Sequence, residues 1–140
     1  MLDVLRRVIQ EVNTAKDLDS ALDIIVDRIQ STMNTEVCSI YLLDDSRKQY
    51  VFMATRGLNE ALVGKVALEI DEGLVGLVGE RAEPVNLHNA KKHPRYLHIT
   101  DLREENFSSF LGVPIIHHRK VLGVLVVQQA RRRRFIASEE

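Results

Sequence analysis

Two apolar runs, 110–116 and 121–127, flank the polar stretch His117-His118-Arg119-Lys120. That pattern predicts a β-hairpin. In the second arm Val, Leu and Val follow one another without polar alternation, so both faces of that strand have to be covered. Pro114 has no N–H for a ladder hydrogen bond, which assigns it to a bulge or an outward-facing position. A hairpin arm buried on both sides requires layers above and below an antiparallel sheet. The chain is therefore expected to build a three-layer α+β domain.

Upstream, the period of the apolar residues changes cleanly. Leu2, Leu5, Ile9 and Val12 predict a first helix, and Leu18, Leu22, Ile25, Val26, Ile29 and Met33 a second, capped by Asp17 or Asp19. Asn34 stands where a left-handed residue ends a helix. Residues 37–43 and 50–54 predict a second hairpin about the polar turn 44–49. Residues 60–64 read as a short helical turn. Val66, Leu68 and Ile70 alternate as in a half-buried strand. Asp71-Glu72-Gly73 opens a short helix to about Arg81, which Pro84 prevents from running further. Residues 85–106 read as a long irregular stretch, and loops of that length in small domains usually serve as lids or binding segments. The end, Phe135-Ile136-Ala137-Ser138-Glu139-Glu140, reads as the capped start of a helix without a body, as in an N-terminal piece of a longer protein.

The whole 140-residue chain is expected to be a single domain. Its formal charge of −1 offers no general attraction to nucleic acid or an anionic membrane. No apolar stretch approaches the roughly 20 residues of a membrane helix, and the charge-interleaved N-terminus does not read as a signal peptide. One cysteine, Cys38, excludes an internal disulfide and fits a reducing compartment, so the cytoplasm is the expected location.

Several motifs admit a chemical and a plain reading. Gly73, Gly76 and Gly79 match neither a dinucleotide fingerprint nor a phosphate-binding loop; at i, i+3, i+6 they permit close packing of a helix. A helix N-terminus at Gly73 can nevertheless hold a carboxylate. The histidines His88, His93, His98, His117 and His118 have no metal-ligand spacing, and no metal site is expected. His93 suits a hydrogen-bond donor in a pocket. The arginine run 131–134 lacks the aromatic partners of a nucleic-acid surface. Cys38, in an apolar strand, reads as core. No nucleophile elbow, paired-carboxylate or zinc-hydrolase signature is present, so the chain by itself is not expected to be an enzyme.

The passages Val37-Cys38-Ser39-Ile40-Tyr41-Leu42, Met53-Ala54-Thr55-Arg56-Gly57-Leu58, Asp71-Glu72-Gly73-Leu74-Val75-Gly76, Glu83-Pro84-Val85 and Phe110-Leu111-Gly112-Val113-Pro114-Ile115 resemble those of GAF domains over essentially the whole chain. With Gly76-Leu77-Val78-Gly79 and Gly123-Val124-Leu125-Val126-Val127-Gln128-Gln129, the likeness is greatest to the N-terminal sensory domains of phosphoenolpyruvate–protein phosphotransferases of the nitrogen-related system. The resemblance implies an α/β/α sandwich on a six-stranded antiparallel sheet, with a ligand pocket on one face and dimerising helices on the other. It also implies a phosphocarrier protein as partner of a catalytic region outside these residues. The active-site histidine, the magnesium site and the phosphoenolpyruvate site belong to that region, and no cofactor is expected here.

The chain departs from three other GAF branches. It lacks the Asp-Glu of the cyclic-nucleotide signature, the bilin-attachment cysteine and the several cysteines of the methionine sulfoxide reductases. A small polar metabolite remains as the expected ligand, and the family resemblance implies glutamine and 2-oxoglutarate as candidates. The pocket is expected beside the long loop, lined by Cys38, Ile40, Leu74, Val75, Asn86, His93, Tyr96, Phe107, Ser109 and Phe110. Arg56 and Arg95 are spare partners for a carboxylate. The alternatives are an interaction module without ligand, dimerising through Leu2, Leu5, Ile9 and Val12, and a stand-alone enzyme.

Overall fold

The computed structural model describes residues 18–99, 102, 107–131 and 135. The first predicted helix and nearly all of the C-terminal one lie outside the described residues. Helix α1 spans Leu18–Met33 and buries Leu22, Ile25, Val26 and Ile29, one side of a 3.6-residue helix. Leu18, expected in the same stripe, is exposed because it precedes the buried positions by a full turn. Asn34 closes the helix at φ 53. Its N–H donates to the Ser31 carbonyl at 3.3 Å and that of Thr35 to the Gln30 carbonyl at 3.2 Å, the paired bonds of a Schellman end.

The strands are β1 (Val37–Asp44), β2 (Gln49–Arg56), β3 (Ala67–Glu69), β4 (Val85–Leu87), β5 (Ser109–His117) and β6 (Lys120–Gln129). They form one sheet in the order β3-β2-β1-β6-β5-β4, every neighbouring pair antiparallel. Helix α2 (Gly73–Arg81) follows β3, and single 3-10 turns occupy Glu60–Leu62 and Ala90–Lys92. Strand β4 was not foreseen: it is three residues long, too short for alternation to show. Strand β3 ends at Glu69, one residue before Ile70, which is consequently exposed.

Alternation along the strands sorts the core into two layers. Cys38, Ile40, Ala54, Ile115 and Leu125 pack with α1, and Leu111, Val113, Val127 and Phe135 form a smaller cluster that shares Met33 with them. Tyr41, Phe52, Phe110, Val124 and Val126 pack with Leu74, Val75, Leu77 and Val78 of α2 on the opposite face. The sheet is thus covered on both sides, as the hairpin arm required. In β2 the register passes from Ala54 opposite Ile40 to Phe52 opposite Tyr41, leaving Met53 unpaired. That bulge lets Ala54 and Phe52 serve different faces although they are two residues apart. Pro114 is buried opposite Val124, next to a second bulge between Ile115 and Ile116 and beyond Gly112, the last partner of β4.

Arg56, expected as a spare cation, is already engaged. Its guanidinium lies 3.5 Å from Asp23, 3.6 Å from Asp27 and 3.4 Å from Glu60, joining α1 to the end of β2. No helix among the described residues is long and apolar enough to cross a membrane.

Candidate functional site

On the α2 face the sheet is roofed by the start of α2 and by the segment that follows β4. Gly73, with φ +67, brings the chain into α2 in a left-handed conformation, and Leu74 and Val75 then point back to the sheet core. Residues 90–99 fold over them through backbone bonds from His93 N–H to the Ala90 carbonyl and from Tyr96 N–H to the His93 carbonyl, each 3.0 Å. Tyr41, Leu68, Gly73, Leu74, Val75, Ala90, Tyr96, Leu97, Ile99, Phe110 and Gln128 line a narrow cavity of about 20 Å³. Such a volume holds about one water molecule.

The roof is tied down from outside. Arg95 donates through Nη2 to the Asp71 carbonyl at 2.7 Å and through Nη1 to Glu80 Oε2 at 3.1 Å. It therefore bridges the segment after β4 to both ends of the α2 region and is not a spare cation. Gly76 makes room for it: a Cβ there would stand 3.2 Å from Arg95 Nη2 and 2.8 Å from the Ile70 carbonyl oxygen. The glycine face of α2 thus admits the Arg95 strap and the preceding turn as well as Tyr50 of the sheet, which sets against Gly79.

Of the ten residues expected to line one pocket, Leu74, Val75, Tyr96 and Phe110 meet around the cavity. Phe107 is half-buried against the same core cluster. Cys38 and Ile40 lie across the sheet, packed against α1, because Tyr41 and not its neighbours points to the α2 face. Ser109, by alternation with Leu111, shares that far face, and its hydroxyl donates to the Arg131 carbonyl. Asn86 is occupied with the backbone of Phe135: Nδ2 donates to the carbonyl at 2.6 Å and Oδ1 accepts the N–H at 3.0 Å. His93 stays within its loop, where Nδ1 accepts the Arg95 N–H at 3.0 Å. The residues that sequence reasoning missed are Tyr41 and Gln128, the polar side chains of the cavity's sheet wall. Tyr41 lies in a strand that reads as core and Gln128 just beyond the apolar run 121–127, and the alternation that separates them from their strand neighbours was available in the sequence.

Burial pushes the Cys38 thiol up to about 12, which leaves it protonated and unreactive. No group of His, Cys, Asp and Glu among the described residues is arranged to hold a metal ion. A wider depression of about 580 Å³ opens elsewhere on the α2 side, between Leu43, Tyr50, Ile70, Gly79, Glu80 and Val121, and contains none of the ten.

The family model of the GAF domain matches residues 17–140. A protein of Salmonella typhimurium described as "Phosphoenolpyruvate-dependent phosphotransferase system" is 52% identical over 140 residues, the whole of this chain and 19% of the relative. This chain therefore spans about a fifth of that relative's length. The GAF domain of a phosphoenolpyruvate-protein phosphotransferase from Coxiella burnetii superimposes with a TM-score of 0.86 at 47% identity, covering 99% of this chain and 83% of that one. The corresponding Acinetobacter domain gives 0.80 at 48% identity, over 99% and 82% of the two chains. A family match over residues 17–140 and superposition on these two domains show that the chain belongs to the GAF family.

Proposed function

We propose that this chain is the ligand-responsive regulatory domain of a phosphoenolpyruvate–protein phosphotransferase in nitrogen-related signalling. In this reading, a catalytic region outside these residues autophosphorylates on a histidine with magnesium and passes the phosphoryl group to a phosphocarrier protein in the cytoplasm. The domain senses a small polar metabolite, glutamine or 2-oxoglutarate, and shifts a conformational equilibrium of that region. The observation that carries the proposal is the cavity beneath the 90–99 segment, with Tyr41, Tyr96 and Gln128 in an otherwise apolar shell and the turn into α2 at Gly73. A few polar groups in an apolar enclosure are what orient a small ligand.

The cavity's volume sets the mechanism. At about 20 Å³ it cannot admit a metabolite until Tyr96, Leu97 and Ile99 move outward. Binding is thereby coupled to release of the Arg95 strap, and the strap is the element through which occupancy is transmitted. Thermal unfolding with glutamine and with 2-oxoglutarate tests this. A ligand at one hundred times its Kd stabilises the fold by about 2.7 kcal/mol, a shift of several degrees. An unchanged midpoint with both metabolites refutes the reading as stated.

The small volume of the cavity also favours a second reading, a homodimeric interaction module whose pocket is simply filled. Ile24, 53% exposed on the outer side of α1, gives such a module an apolar contact. Sedimentation showing a stable dimer, together with no metabolite response, selects it.

A further inference from the structure

The depression of about 580 Å³ shares no lining residue with the narrow cavity, and its size falls within the range of small-molecule sites. We propose that it is a binding site for a small amphipathic organic anion, the apolar body lying on Tyr50, Ile70, Val121 and Leu122 and the anionic head at Lys120. This inference is independent of metabolite sensing in the cavity.

The apolar part is built by two departures from regular structure. Ile70 stands just past the end of β3 and is 39% exposed. In β6 the pairing passes from Gly123 opposite Ile115 to Val121 opposite Ile116, leaving Leu122 unpaired. A regular strand would send Val121 and Leu122 to opposite faces; here both reach the groove. Leu122 remains 36% exposed there.

Charge complementarity selects the sign of the head group. Lys48 on the rim is neutralised by Asp45, 3.0 Å away, and Glu80 by Arg95 at 3.1 Å. Lys120 has no ion pair among the described residues, nor has Arg119 beside it. The groove therefore presents unmatched positive charge at the edge of an apolar floor. The two hairpin turns around it add a second indication. Lys48, His118 and Arg119 have φ of 55, 50 and 65. A turn that only reversed the chain would be served better by Gly or Asn at those positions. Lys48 and Arg119 stand there against the backbone's preference.

The test is a titration of the isotope-labelled 140-residue chain, followed by amide resonances, with sodium octanoate below its micellar concentration and octylammonium as the charge-reversed probe. The expected result is saturable perturbation of Lys48, Ile70, Val121 and Leu122 by octanoate, with octylammonium at least tenfold weaker. Lys120→Glu, at an exposed turn, should weaken octanoate at least tenfold without weakening octylammonium. Lys120→Gln, which removes charge without reversing it, should lose at least threefold. Equal affinity for the two head groups, perturbations centred on Tyr96 and Leu97, or unchanged octanoate binding in both variants would overturn the proposal.

Discussion

Asn86 and Phe135, forty-nine residues apart, exchange two hydrogen bonds: the side-chain amide donates to the Phe135 carbonyl and accepts its N–H. The amide thus acts as a one-residue strand edge toward Phe135, and it holds the buried Phe135 ring against Leu111, Val113 and Val127. Asn86→Ala deletes both the donor and the acceptor. It should lower stability by about 1–3 kcal/mol, seen as an earlier denaturant midpoint, and should speed hydrogen exchange at Phe135. Unchanged exchange there would show that the ring docks without the clasp.

Arg95 ties the roof of the cavity to both Asp71 and Glu80. Arg95→Ala should release the 93–99 segment with little global cost, about 1 kcal/mol, because the Glu80 side is partly exposed. Faster hydrogen exchange at Tyr96 and Leu97, at a nearly constant melting temperature, is the expected signature. Glu80→Gln should reproduce part of it.

Gly57 and Gly64 offer a paired test of backbone against packing. Both have positive φ, +102 and +80. A Cβ at Gly57 would meet the Glu36 carbonyl oxygen at 2.3 Å, whereas one at Gly64 meets nothing within 4 Å. Gly64→Ala should therefore cost only the conformational penalty, about 1–2 kcal/mol. Gly57→Ala should cost at least about 2 kcal/mol more, through the added clash with backbone that cannot rotate away. Equal losses in urea unfolding would contradict the geometry.

Cys38 yields a pH prediction. Its pKa in the fold is raised by burial from 9.0 to about 12, so the native state favours the neutral thiol. Its contribution to stability is complete below about pH 9 and is lost as pH rises toward 12, since only the unfolded chain ionises readily there. A thiol reagent at pH 8 should label native protein at the rate of unfolding and denatured protein at once. Rapid labelling of the native chain would place the sulfur nearer solvent than β1 allows.

The fold was largely legible in the sequence because its main signals are periodic. The α1 stripe, the two long hairpins and the left-handed stop at Asn34 all follow from spacing or from one residue's backbone preference. The site was less legible. Cys38 and Ile40 read as pocket residues from strand membership, and alternation along β1 separates them from Tyr41, but which of the two faces lies under α2 is decided by tertiary packing. Asn86, Arg56 and Arg95 read as free polar groups because, apart from Glu60 beside Arg56, their partners lie far away in sequence or are backbone atoms. Strand β4 escaped notice because three residues carry too little pattern.

The sheet order has a consequence for how the chain assembles. Strand β1 lies between β2 and β6, so the centre of the sheet joins the earliest described strand to the last. During synthesis the β1–β2 hairpin emerges with one flank open and its apolar α1 face only partly covered. It gains its neighbour only after β6 has left the ribosome. Because such distant pairing is slow to close, truncation anywhere before Gln129 should leave an adhesive intermediate, not a smaller domain.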